Sequence, residues 1–155
     1  MGTSSTETAA VPRVHVIGGP GSGKTTLARR LSNRLDAPMF DLDEIAYVGG
    51  AGPKRSLAER LSDISAIQSQ PAWITDGIYL FWVDGLLQSA DAIVWLDVPW
   101  RVAAWRIVVR HVRASLAGTN RHPGFGKLLR FLNGARRYYV DPSLRPPVGA
   151  RPETF

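Results

Sequence analysis

The chain has 155 residues, 45% of them hydrophobic and 21% charged, and it contains no cysteine. That is the composition of one ordinary globular domain, and it excludes disulfide frameworks, Cys-ligated zinc, iron–sulfur clusters and thiol nucleophiles. The net charge of +6 is unevenly spread: residues 1–100 hold 8 Lys and Arg against 11 Asp and Glu, a balance of −3, whereas residues 101–155 hold 11 against 2, a balance of +9. A basic third of this kind fits either a solvated helical face or an electrostatic funnel for nucleotide phosphates or nucleic acid. The opening MGTSSTETAAVP has neither the basic start nor the apolar centre of a signal peptide. No apolar run approaches the roughly 20 residues of a membrane span. A soluble protein is expected, with no membrane partner, and the missing cysteines suit a cytoplasmic location.

Residues 1–12 read as a loose tail. Arg13–Ile17 is short, β-branched and nearly continuous in apolar character, as a buried parallel strand should be. It runs into GGPGSGKTT and then a helix with Leu27, Ala28, Leu31 and Leu35 on one side. Met39–Leu42 is expected as a second strand. Ser56 to about Ser69 is a helix with Leu57, Leu61, Ile64 and Ile67 at helical spacing. Ala72–Thr75 and Ala92–Leu96 supply two more strands. Long helices are expected from near Pro99, which suits a first helical turn, and from about Lys127 to Val140. The proline-rich end cannot be a central strand or helix. Strands alternating with helices imply a mostly parallel sheet of four to five strands covered on both faces, a three-layer α/β architecture.

The decisive signal is Gly18-Gly19-Pro20-Gly21-Ser22-Gly23-Lys24-Thr25, which satisfies G-x-x-x-x-G-K-[ST] in full. Glycines let the backbone turn its N–H groups toward phosphate oxygens without Cβ clashes. The helix that follows offers free N–H donors and the positive end of its dipole to the same phosphates. Lys24 is placed to reach the β- and γ-phosphates and the Thr25 hydroxyl to ligate Mg²⁺, with Thr26 completing the nucleotide-binding segment. The fold class is therefore a P-loop NTPase fold binding a nucleoside triphosphate with Mg²⁺. A guanine-reading N-K-x-D is absent, as are the LSGGQ of transporter ATPases and the length for a second AAA-type domain. The elimination favours a small phosphotransferase, acting on a nucleoside triphosphate and a small phosphoryl acceptor.

Four segments, GGPGSGKTTLARRL, FDLDEIAY, WITDGIY and IVWLDVPWRV, together resemble the adenylate-kinase-like branch of P-loop proteins. They look most like the small kinase-like proteins labelled AAA-family ATPase or DNA topology modulation protein, with shikimate and gluconate kinases more distant. In extended geometry Asp41 and Asp43 would point to the same side. The resemblance implies that one approaches Mg²⁺ and the other, Asp43, orients the acceptor hydroxyl and accepts its proton. The same residues also suit a strand-end turn in which Asp43 or Glu44 caps the next segment. Asp76, taken to end its strand, then corresponds to the acid that holds Mg²⁺, and Gly77 adjoins the acceptor. Asp97 is a competing candidate for that acid. The chain reads DGIYL where adenylate kinases read DGFPR, so the arginine that binds an acceptor phosphate is missing.

Arg101, Arg106, Arg110 and Arg113 fall on one helix, the last three on a shared face. The resemblance implies that such lid arginines clamp ATP phosphates, with Arg106 and Arg110 the catalytic candidates, although a solvated basic face has the same pattern. His122–Gly126 reads as a hinge. The aromatics among the later arginines fit core packing better than single-strand stacking, and the tryptophans are expected mostly in the core, with Trp82 or Trp100 able to wall a substrate pocket. One domain over residues 13–145 is expected, including a basic helical lid over about 101–140, then an irregular tail over 146–155. The leading reading is an Mg²⁺-dependent phosphotransferase. A nucleotide-dependent regulatory or nucleic-acid-binding protein is the alternative.

Overall fold

The structure is a computed structural model, and it describes residues 12–79, 81–120 and 124–140. β1 (Arg13–Gly18) lies inside a four-stranded sheet with β2 (Met39–Asp41), β3 (Trp73–Gly77) and β4 (Ala92–Leu96), in the order β2-β3-β1-β4. Every pairing is parallel, so the carboxyl ends of all four strands emerge along one edge, where open α/β sheets bind ligands.

Strand alternation divides the side chains into two layers. Val14 and Val16 of β1, Ile74 of β3 and Val94 and Leu96 of β4 pack with Ala28, Leu27, Leu31 and Leu35 of α1 (Lys24–Leu35). The other face gathers Ile17, Trp73 and Trp95 under α2 (Leu42–Ala46), α3 (Leu57–Gln68) and α4 (Asp84–Ser89). A smaller third cluster joins α5 (Trp100–Leu116) to α6 (Phe125–Val140) through Ile107, Leu128 and Ala135. Ser56 caps α3 in a full capping box: its hydroxyl accepts from the Glu59 N–H while the Glu59 carboxylate accepts from the Ser56 N–H.

Several expectations need correction. The second strand stops at Asp41, because Leu42 already opens α2, buried beneath the sheet. The third strand runs past Thr75 through Asp76 and Gly77, which pair with Val16 and Ile17 of β1. Pro99 is the cap of α5 rather than part of its first turn. On α3 the buried side is Arg60, Ile64 and Ile67, and Leu57 and Leu61 face solvent. Arg60 is covered because its guanidinium stacks 5.1 Å from the Trp82 ring. Trp73 and Trp82 are core residues, whereas Trp105 is exposed. Phe125 and Gly126, read as part of a hinge, begin α6. The N-terminal tail to residue 11, the hinge positions 121–123 and the proline-rich end from 141 lie outside the described residues. Two short helices, α2 and α4, had no separate signal in the sequence, and four strands are present among the described residues.

Candidate active site

The phosphate loop leaves β1 at Gly18 and reaches α1 through Gly23, which adopts the left-handed conformation at the helix cap. Gly21 also has a positive φ of 80°, and a Cβ there would stand 2.6 Å from the Ala103 carbonyl oxygen of α5. Only glycine satisfies both demands, so the loop and α5 fit tightly at this point. The Ser22 N–H donates to the Gly19 carbonyl at 3.1 Å. The Ser22 hydroxyl is buried without a hydrogen-bond partner among the described residues. Lys24 opens α1, and Thr25 and Thr26 follow in its first turn.

Asp76 is two residues beyond Ile74, so it stands on the α1 side of β3. There its Oδ2 accepts from the Thr25 hydroxyl at 2.6 Å, while Oδ1 has no partner among the described residues and the side chain is 1% exposed. Burial is the largest cause pushing its pKa up; the Thr25 hydrogen bond and the Lys24 charge oppose that shift, and the Asp41 charge adds to it. Asp41 is the residue paired with Asp76 across β2 and β3. Its pKa is also raised, chiefly by burial, and next by the charges of Asp43 and Glu44. The buried Asp76 and the half-buried Asp41 beside it, next to a hydroxyl, form a hard-oxygen site with a surplus of negative charge.

Asp41 and Asp43 do not project side by side from one strand. Asp41 caps α2, its Oδ1 accepting from the Asp43 N–H at 2.9 Å, and Asp43 lies exposed in the first turn of that helix. The cap is therefore Asp41 rather than Asp43 or Glu44. Asp43 Oδ1 accepts from the Tyr79 hydroxyl at 2.7 Å. Burial and this bond hold Tyr79 protonated well above the usual phenol range. Gly77 packs against Leu42, where a Cβ would come within 2.8 Å of its side chain. That contact gives Gly77 a packing reason for being glycine.

Arg106 crosses from α5 onto the loop, its Nη1 donating to the Ser22 carbonyl at 2.7 Å. Arg110, one turn on, borders a cavity of about 900 Å³ between α5, α6 and the loop. Pro20, Ile78, Ile107, Phe131 and Tyr138 form much of its wall, and Arg110, Lys127 and Arg130 are its charged residues. Sequence reasoning did not anticipate the part played by α6. The Tyr139 hydroxyl donates to the Pro20 carbonyl at 2.9 Å, and the Tyr138 and Tyr139 rings stand so close to Gly19 that a Cβ there would meet them at 2.6–2.7 Å. An aromatic pair at the end of an amphipathic helix has the sequence pattern of core, which is how both were read. Tyr79 was visible only as part of WITDGIY.

The donor set suits Mg²⁺. Asp76 offers a buried Oδ1 with no partner among the described residues, while its Oδ2 accepts from the Thr25 hydroxyl at 2.6 Å. No group of three or more His, Asp or Glu that could hold a metal occurs among the described residues.

The gluconokinase of Sinorhizobium meliloti 1021 superposes with a TM-score of 0.53 over 92% of this chain and 80% of its own, at 20% identity. This chain has the same fold. The uncharacterized protein YqaC of Bacillus subtilis (strain 168) is 30% identical over 87 residues, 56% of this chain and 49% of that protein. The shikimate kinase of Rhodococcus jostii (strain RHA1) is 46% identical over 48 residues, 31% of this chain and 27% of that protein. The matches thus span about half of one curated relative and a quarter of the other. No family model matches the chain. No helix among the described residues is long and apolar enough to cross a membrane.

Proposed function

We propose that the chain is an ATP- and Mg²⁺-dependent phosphotransferase that phosphorylates a hydroxyl group of a small molecule, in the cytoplasm. The observation that carries the reading is the junction of loop, metal residues and arginine. Thr25 in the first turn of α1 meets the buried Asp76, while Arg106 lies across the same loop at Ser22. In this reading the backbone N–H groups of residues 18–25 and Lys24 bind the β- and γ-phosphates. Thr25 and Asp76 hold Mg²⁺, which when bound neutralises phosphate charge. Arg106 and Arg110 face the charge that spreads over the transferring group.

Asp43 suits the acceptor side, since it is exposed and oriented by the Tyr79 hydroxyl. It receives the proton as the acceptor oxygen bonds to the γ-phosphorus and the bridging β–γ oxygen leaves with ADP. The cavity beside Ile78 has room for the acceptor's body, and closure of the α5–α6 region would exclude water. The purified chain should consume ATP in the presence of Mg²⁺ when offered one of a panel of hydroxyl metabolites and nucleoside monophosphates. Lys24→Ala should abolish turnover with the fold intact by circular dichroism. Wild-type turnover in that variant would remove the site assignment.

A further inference from the structure

α5 is apolar on two opposite sides. Ala103 and Ile107 are buried, the first against Gly21 of the phosphate loop and the second against α6. Trp105, Val109, Val112 and Leu116 follow at intervals of four, three and four residues. At 100° per residue they form a straight stripe on the side away from Ala103 and Ile107. Trp105 is 68%, Val112 48% and Leu116 85% exposed. A groove of about 520 Å³ runs beside the stripe, lined by Trp105, Arg106, Val109, Arg113 and Ala117 among others.

The 4-3-4 interval is the seam of paired helices, and Arg106 and Arg113 take equivalent flanking positions seven residues apart along it. α5 carries four arginines and α6 one lysine and three arginines, and neither helix carries an Asp or Glu. We propose that this face of α5 docks an amphipathic helix of an acidic partner protein. Its apolar side chains would seat between Trp105, Val109, Val112 and Leu116, with Asp or Glu on its flank opposite Arg113. Such helix-in-groove recognition uses anchors at this spacing.

The charges argue against a second copy of the chain as the occupant. A second copy packed antiparallel would bring Arg106 and Arg113 against their own counterparts; packed parallel, it would face them with Val108 and Ser115. Neither arrangement supplies a carboxylate. Single-stranded nucleic acid is bound by successive aromatic platforms, and this stripe has one aromatic residue, Trp105. The proposal does not depend on the phosphotransfer reading, and its test needs no turnover.

The full chain would be titrated, at low and high salt, against a labelled synthetic helix with a leucine seam flanked by glutamates. The same helix flanked by lysines, a single-stranded oligonucleotide and phosphatidylserine vesicles would be run in parallel, with sedimentation to follow self-association. The glutamate-flanked helix should bind and the lysine-flanked one should not, with affinity falling as salt rises. Trp105→Ala combined with Leu116→Ala should weaken it by about tenfold or more, and Arg113→Glu should weaken it at low salt. These side chains are exposed, and unchanged circular dichroism would show the variants folded. Equal binding of both helices, no binding of the acidic one, or no effect of the double variant would overturn the proposal. So would tighter, Trp105-dependent capture of the oligonucleotide or vesicles, or a dimer that the double variant dissolves.

Discussion

Asp76 shows how one residue's surroundings decide its chemistry. It is sealed between β1 and β2 on the face that α1 covers, so its charge is unfavourable until a cation arrives. Its folded pKa is raised, so the metal-free fold is relieved when the group is neutral. Asp76→Asn keeps an oxygen for the Thr25 hydroxyl and removes the charge. That variant should melt higher than wild type without Mg²⁺, by roughly 2–4 °C for each kcal/mol of relieved burial. It should also lose the stabilisation that Mg²⁺ with ATP gives the wild type. Thermal melts with and without the ligands check both; a lower ligand-free melting temperature would show that the carboxylate is a structural group instead.

Helix α5 earns its place through contact with the loop rather than through the sheet. Ala103 meets Gly21, Arg106 meets Ser22, and α6 adds Tyr139 on Pro20. The phosphate loop is therefore held from outside by two helices. Gly21→Ala would place a side chain in the left-handed region, at about 1–2 kcal/mol, and would also press on the Ala103 carbonyl. It should lower the melting temperature by several degrees and weaken ATP binding, read by calorimetric titration. Undiminished ATP affinity would show that the loop keeps its shape without α5. The capping box of α3 is the contrasting case, because a local S-x-x-E pattern fixed that helix start without tertiary help.

At the scale of the whole molecule, the core of the described residues carries a buried histidine that the proposed chemistry does not use. His15 is fully buried in β1, its Nδ1 2.7 Å from the Thr75 hydroxyl of β3. Burial lowers its pKa to about 4 from 6.5. The folded state therefore keeps His15 neutral where the unfolded chain would protonate it. Stability from this group is complete above pH 6.5 and falls as the pH drops toward 4, by about 3 kcal/mol if no other group intervened. The raised pKa values of Asp41 and Asp76 act in the opposite sense on acidification. Urea unfolding of wild type and His15→Gln across this range isolates the histidine: the variant should lose the His15 part of the slope. Parallel profiles for the two proteins would remove the assignment.

The sequence by itself determined the βα alternation, the phosphate loop, a mostly parallel sheet of four to five strands and the arginines that follow Pro99. Each of these rests on local pattern: β-branched runs, helical spacing, or glycines where the backbone must turn toward phosphate. The strand order was not legible, because it depends on which strands pair across the sheet. Nor was the parting of Asp41 from Asp43, since the entry of Leu42 into the core ends the strand one residue early. Only the tertiary structure placed Asp41 beside Asp76, Tyr79 on Asp43 and Tyr139 on the loop. Only it showed the α5 stripe uncovered by the described residues, because exposure is a property of what packs on a helix and not of its own spacing.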